Sequence, residues 1–170
     1  MQYRGACVLS ILLYGSESWT TYRRQESKLN SFHMRCLRNI LDLRWQDKVT
    51  NAVILDRCHT KPLTSILKHR RLRWLGHVHR MTDQHLPKVT LYGELSEGSR
   101  KCGRPLLRWK VVARRDLNNF GVDYKTFEIN CEDRSSWRAM IHSGLEHDHT
   151  LYLAHLEQKA LKRHQRRGES

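Results

Sequence analysis

The sequence predicts an all-α fold, for two reasons. Apolar residues recur at helical spacing in several segments, whereas no segment alternates apolar and polar residues as a half-buried strand does. Proline and glycine stand where helices start and stop, with Pro62 and Pro105 suited to first turns and Gly121 to an end. Hydrophobic residues make up 39% of the 170, below the roughly 45–50% of globular domains. We therefore expect an elongated assembly of several helices.

Four helices are expected in the first half of the chain. Residues 3–18 form a buried helix that ends near Gly15, and Thr50 or Asn51 caps a short helix carrying Val53, Ile54 and Leu55. Between them, 24–43 has one apolar face, made of Leu29, Phe32, Cys36, Leu37, Ile40 and Leu43. The fourth helix, 62–81, has a stripe of Leu63, Ile66, Leu67, Trp74, Val78 and Met81.

A turn-rich segment, SEGSRKCGRP at 96–105, divides the chain. It predicts a helical region at 1–95, a basic linker at 96–104 and a smaller helical region at 105–165 with a basic tail to residue 170. The helix that Pro105 opens has a stripe of Leu106, Trp109, Ala113, Leu117 and Phe120. Another stripe follows Asp133, made of Trp137, Met140 and Ile141.

The charge of the chain favours a polyanionic partner. Lys and Arg number 31 against 17 Asp and Glu, a net charge of +14 and a pI near 10.0. Nucleic acid, RNA or DNA, is the leading partner for such a chain, an acidic membrane surface is the second, and a merely solvated basic surface is the alternative. Helix 62–81 is densely basic and contains no acid.

The candidate nucleic-acid-binding residues lie in two basic runs. They are Lys68, Arg71, Arg73, His79 and Arg80 in the first run, and Lys101, Arg104, Arg108, Lys110, Arg114 and Arg115 in the second. Arg71, Arg73 and Arg80 are expected to point outward to phosphates. Trp74 and Trp109 could stack on bases, but both lie in apolar stripes, which favours packing. Gly103, Arg104 and Pro105 resemble the core of an AT-hook, although Cys102 stands where that motif usually has Arg.

The sequence predicts no metal site, no cofactor and no catalytic residue. Structural zinc sites use two close ligand pairs, whereas His77 and His79 lie about 200° apart around a helix. Carboxylates are scattered singly, without the cluster that two-metal polymerases and nucleases need. Five cysteines without a CxxC pair indicate reduced thiols. We therefore expect an intracellular protein, nuclear or cytoplasmic, that is not secreted and does not cross a membrane.

Six segments occur together in a familiar order: LLYGSESWT at 12–20, FHMRCLRNILDLRWQDKVTN at 32–51, LRWLGHVHRM at 72–81, LPKVTLYGEL at 86–95, GRPLLRWK at 103–110 and DRSSWR at 133–138. Their order and spacing resemble the C-terminal region of non-LTR (LINE-type) retrotransposon endonuclease–reverse transcriptases. In that family the region follows the catalytic palm and includes thumb-like helices and a C-terminal extension. The resemblance covers roughly residues 7–145.

The resemblance implies an RNA-directed DNA polymerase as the parent protein, and this chain as a part that grips template RNA or primer–template. The palm aspartates of that family, which hold Mg²⁺, and its endonuclease domain have no counterpart here, so no catalytic residue carries over. The palm domain of the parent is then a possible partner. Two other interpretations stay open: a truncated transposon remnant without activity, and a protein-interaction module that needs a partner. The sequence does not define the oligomeric state or a preference for RNA over DNA.

Overall fold

Every regular element of the chain is helical in the part that the structure describes. This computed structural model describes residues 5–93, 103 and 107–168. Within these ranges there are eight α-helices and no strand, which confirms the predicted all-α class. The helices are α1 (Gly5–Leu12), α2 (Arg23–Ile40), α3 (Asn51–Arg57), α4 (Leu63–His79), α5 (Leu86–Tyr92), α6 (Trp109–Asn119), α7 (Phe127–Glu132) and α8 (Arg134–Gly168).

Several helix ends follow the predicted signals. Thr50 caps α3, because its hydroxyl accepts a hydrogen bond from the backbone N–H of Val53 at 3.5 Å. Pro62 immediately precedes α4, and its carbonyl accepts the N–H groups of Ser65 and Ile66. Gly121 follows the end of α6 with φ +71°, a left-handed conformation that costs glycine little. The last helix is longer than expected, since α8 continues through the basic tail to Gly168.

The backbone contacts divide the chain into two compact units. Unit 1 comprises residues 1–14, 23–66 and 145–170, and unit 2 comprises residues 15–22 and 67–144. The predicted linker at 96–104 lies outside the described residues except for Gly103, so that division stays a prediction. The first turn of α4 belongs to unit 1 and the rest to unit 2, while α8 begins in unit 2 and continues in unit 1.

The core of unit 1 uses only part of the apolar face predicted for 24–43: Leu37 is buried as predicted and Leu43 packs against the core, whereas other predicted positions are exposed. Met34 and Leu37 of α2 pack with Ile54, Leu55 and Cys58, and His33 and Glu26 are buried on the same side. Phe32 and Ile40, predicted to be core residues, are 44% and 50% exposed. The error has a simple cause: α2 has apolar residues on two faces, and periodicity alone does not say which one is covered.

Unit 2 is built on the apolar stripes of α4, α6 and the first turns of α8. The predicted core positions Val78, Leu117 and Ile141 are buried, as are Leu67, Ala113, Phe120 and Trp137. The indole Nε1 of Trp137 donates a hydrogen bond to the carbonyl of Leu72 at 3.1 Å. A Cβ added at Gly76 would meet the same indole ring. This close approach of α8 to α4 therefore depends on glycine at position 76.

None of the described helices is long and apolar enough to cross a membrane.

Candidate nucleic-acid interface

Arg71 is in the interior of unit 2, so the expectation that it points outward to phosphates is wrong. Its side chain is fully buried, Nε donates to Oδ2 of Asp116 at 2.6 Å, and Nη1 donates to Oγ1 of Thr21 at 3.2 Å. The position explains this burial, because residue 71 lies one turn from both Leu67 and Leu75 on the stripe that α4 packs inward. Arg71 is thus a structural cation.

Asp116, the partner of Arg71, is also fully buried. Burial raises the pKa of Asp116, and the charges of Arg71 and Arg115 act in the opposite direction. Nε of Arg115, a half-buried member of the predicted set, lies 3.6 Å from Oδ1 of Asp116. Arg115 therefore contributes to this interior ion cluster as well as to the basic surface of α6.

The remaining predicted residues of the first basic run differ in their exposure. Nη1 of Arg80 donates to the carbonyl of Cys131 at 2.6 Å, and Nδ1 of His79 lies 2.8 Å from the Tyr92 hydroxyl. Both side chains are half-buried, as is Lys68, whereas Arg73 is exposed. Arg80 and His79 thus hold neighbouring elements in place, and Arg73 is the exposed member of this group.

The second basic run gives a clearer surface. Arg108, Lys110 and Arg114 are all exposed, at the start of α6 and along it. Lys110 and Arg114 are four residues apart and therefore lie on the same side of the helix, one turn apart. Lys101 and Arg104, and with Arg104 the AT-hook-like tripeptide, lie outside the described residues.

Two tyrosines that the sequence did not single out lie beneath the cations of α6. Nζ of Lys110 is 5.7 Å from the ring centroid of Tyr92, and Cζ of Arg114 is 4.7 Å from that of Tyr124. Both distances allow cation–π attraction. Tyr92 ends α5 and Tyr124 follows α6, so only folding brings them together, and no local pattern marks them. We call Tyr92, Lys110, Arg114 and Tyr124 the aromatic–basic face.

Each tyrosine of this face is supported by other side chains of unit 2. The hydroxyl of Tyr92 contacts His79, and the ring of Tyr124 stacks on Phe127 with centroids 5.2 Å apart and planes at 29°. Burial raises the pKa of Tyr92, and the nearby Glu128 carboxylate adds to that effect. Between the rings is a shallow hollow of about 260 Å³, part of it open solvent. Its lining includes Leu75, Leu91, Trp109, Ala113, Leu117 and Phe127.

Trp74 and Trp109 are packing residues, as predicted. Their ring centroids are 4.9 Å apart with an interplanar angle of 75°, an edge-to-face contact between α4 and α6. Nε1 of Trp109 donates to the carbonyl of Glu17 at 2.8 Å. The two rings are therefore engaged within the protein.

A second concentration of positive charge surrounds His69 on α4. Its pKa is lowered to about 4, first by burial and then by the charges of Arg73, His142 and Arg70. His69 is half-buried, whereas Arg73 and His142 are exposed. The imidazole therefore remains neutral at pH 7, beside cations that raise the local potential.

The described residues contain no group of three or more His, Cys, Asp or Glu side chains that could hold a metal ion. Cys58, which directly precedes His59, is buried in the core of unit 1. Burial raises the pKa of the Cys131 thiol to about 12, so this thiol is a poor nucleophile at neutral pH. These side chains contribute to packing.

Comparison with known proteins gives one distant similarity. No family model matches the chain, and no solved structure matches it significantly. An uncharacterized transposon-derived protein of Caenorhabditis elegans is 26% identical over 147 residues, covering 79% of this chain and 50% of the relative. The chain thus spans about half the length of the curated relative that it matches. The chain is therefore similar to a transposon-derived protein, which agrees with the transposon origin that the resemblance of the six segments implies.

Proposed function

We propose that this chain is a non-catalytic, nucleic-acid-binding part of a transposon-derived reverse transcriptase, and that it grips template RNA or primer–template. The observation that carries the proposal is the set of exposed cations at the start of α6 and along it, Arg108, Lys110 and Arg114. Such side chains bind phosphates and release counterions from the nucleic acid. The net charge of +14 supports long-range attraction of the same partner.

The distant similarity to a transposon-derived protein supports the proposed origin of this chain from a transposon. The assignment to a reverse transcriptase rests on the resemblance of the six sequence segments. The polymerase activity belongs to a palm domain that this chain does not resemble, and that domain is the proposed protein partner. The candidates Lys68, His79, Arg80 and Arg115 are half-buried, whereas Arg71 contributes by holding α4 against α6.

The test is the salt dependence of binding. The purified chain is titrated with a fluorescent RNA and with the matching duplex at several salt concentrations. We expect the logarithm of affinity to fall linearly with the logarithm of salt concentration, with a slope near −0.7 for each phosphate contact on a single strand, an approximate value. Replacing Arg73, Arg108 and Arg114 by Ala is expected to reduce both the affinity and the slope, since each removes one contact.

The matched control removes the same charge elsewhere. Arg23, Arg24 and Arg35 of α2 are also exposed, and their triple Ala variant should retain the slope of the unmodified chain. If the two triple variants lose affinity equally, the binding is non-specific attraction by net charge and the proposed surface is wrong. If the unmodified chain binds neither nucleic acid at low salt, the interpretation as an inactive transposon remnant is favoured instead.

A further inference from the structure

We propose that the aromatic–basic face of unit 2 binds unpaired nucleotides. In this proposal bases stack on Tyr92 and Tyr124, and Lys110 and Arg114 swing from the ring faces to the phosphates. The inference rests on the proposed function and deepens it, because it assigns single-stranded RNA or DNA as the ligand of this face. Three features of the face support this: the anchored rings, the flexible cations over them and the apolar hollow beside them.

Each of the two rings is fixed by a contact with a neighbouring side chain that would not need to move when a base binds. Tyr92 is anchored through its hydroxyl by Nδ1 of His79 at 2.8 Å. Tyr124 has one face stacked on Phe127, which is buried. A ring fixed in this way keeps its orientation when a ligand arrives, so little conformational entropy is lost on binding.

A long, flexible cationic side chain lies over each ring. The Lys110 ammonium lies over Tyr92 and the Arg114 guanidinium lies over Tyr124, and both residues are exposed. Exposed cation–π contacts are weak, whereas contacts of the same cations with a phosphate are charge-assisted and stronger. A nucleotide can therefore exchange one contact for the other. Its phosphate then binds the cation, and its base stacks on the ring face.

The hollow beside the rings is apolar and partly open to solvent. The apolar lining, which includes Leu75 and Leu91, does not compete with a base for polar contacts. In a duplex the bases are already stacked and paired, so this face discriminates in favour of unpaired strands. Protein aromatic rings stack on any base, so little sequence preference is expected.

The experiment compares two single strands that carry the same phosphates. One is an ordinary oligonucleotide of about 15 nucleotides, long enough for such a site, and the other is an abasic strand of equal length. We expect the unmodified chain to bind the ordinary strand about tenfold more tightly, since a stacked base contributes about that factor or more. The double variant Tyr92→Leu with Tyr124→Leu should bind both strands equally. Tyr14→Leu, at a tyrosine that is 86% exposed in unit 1, is the matched control.

Each remaining outcome has one meaning. If the unmodified chain binds both strands equally, with a normal salt slope, base stacking is overturned while the proposed function stands. If the Leu variants lose affinity equally for both strands, the tyrosines have a structural role and the inference fails. The double variant Lys110→Ala with Arg114→Ala should bind both strands more weakly and leave the ratio of the two affinities largely unchanged. If neither strand binds at low salt, the proposed function is overturned, and the inference fails with it.

Discussion

Nε of Arg71 lies 2.6 Å from Oδ2 of Asp116, and both side chains have 0% exposure. This ion pair joins α4 to α6 inside unit 2, the two helices that also carry the candidate basic surface. Removing two charges from water costs free energy, and their mutual attraction offsets that cost only when the geometry is good. The additional hydrogen bond from Arg71 to Thr21 helps to meet this condition.

Replacing Arg71 alone is therefore expected to destabilise the protein severely. Arg71→Met keeps much of the apolar stem but leaves the Asp116 carboxyl buried without its main partner. Breaking one side of a buried pair costs about 3–5 kcal/mol in the free energy of unfolding. Denaturant titration followed by circular dichroism measures it.

The control for this prediction is Arg73→Met, two residues away and exposed. It should change stability by no more than about 0.5 kcal/mol. The double variant Arg71→Met with Asp116→Leu should recover most of the lost stability, because two apolar side chains replace both charges. Equal stability of the Arg71→Met variant and the unmodified chain would contradict the structural role of this pair.

Arg71 also shows where sequence reasoning reaches its limit. Helical periodicity placed the helix correctly at 62–81, and the observed α4 runs over Leu63–His79. Residue 71 falls on the inward stripe, but its charge suggested exposure. The missing fact was the partner, Asp116, 45 residues later. A buried arginine can be recognised only when the anion that neutralises it is known, and that requires the tertiary structure.

Gly76 is expected to tolerate no side chain. A Cβ at this position would lie 2.5 Å from Cδ1 of Trp137 and closer still to Nε1. Gly76→Ala should destabilise the protein by about 1–3 kcal/mol through overpacking, although Ala favours a helix more than Gly does. Thermal unfolding measures this loss. Ser143→Ala, at an exposed position of α8, should have little effect, and a similar loss in both variants would contradict the prediction.

In unit 1, Ser65 and Asp148 form a buried hydrogen bond whose removal should be costly. Oγ of Ser65 donates to Oδ2 of Asp148 at 2.6 Å, and the two residues are 1% and 7% exposed. Ser65→Ala should reduce stability by about 1–3 kcal/mol, because the carboxylate loses a donor that water does not replace.

The comparison for Ser65 is Lys61→Ala. Lys61 forms an ion pair with Glu146, and the two side chains are 29% and 51% exposed. A partly solvated pair of this kind contributes about 0–1 kcal/mol. Chemical unfolding of both variants tests the ranking. A larger loss for Lys61→Ala than for Ser65→Ala would contradict it.

Only the basic residues of the aromatic–basic face could be predicted from the sequence. Lys110 and Arg114 were candidates because basic residues are visible in a sequence. Tyr92 and Tyr124 were not, since they are 32 residues apart in number and neither lies in a basic run. Aromatic residues usually pack in cores. Only the tertiary contacts show that these two rings lie under cations.

His69 should make stability depend on pH between its two pKa values. The unfolded imidazole, with an ordinary pKa near 6.5, takes up a proton as pH falls, whereas the folded one stays neutral until about pH 4. The contribution of His69 is thus complete above pH 6.5 and is lost as pH falls towards 4. The denaturant midpoint should depend less on pH across this range in His69→Gln than in the unmodified chain. His155→Gln, at an exposed position, is the control and should keep the full dependence. Burial also lowers the pKa values of His33 and His149, so part of the pH dependence of stability should remain in His69→Gln. An unchanged pH profile in His69→Gln would show that the imidazole is not held neutral.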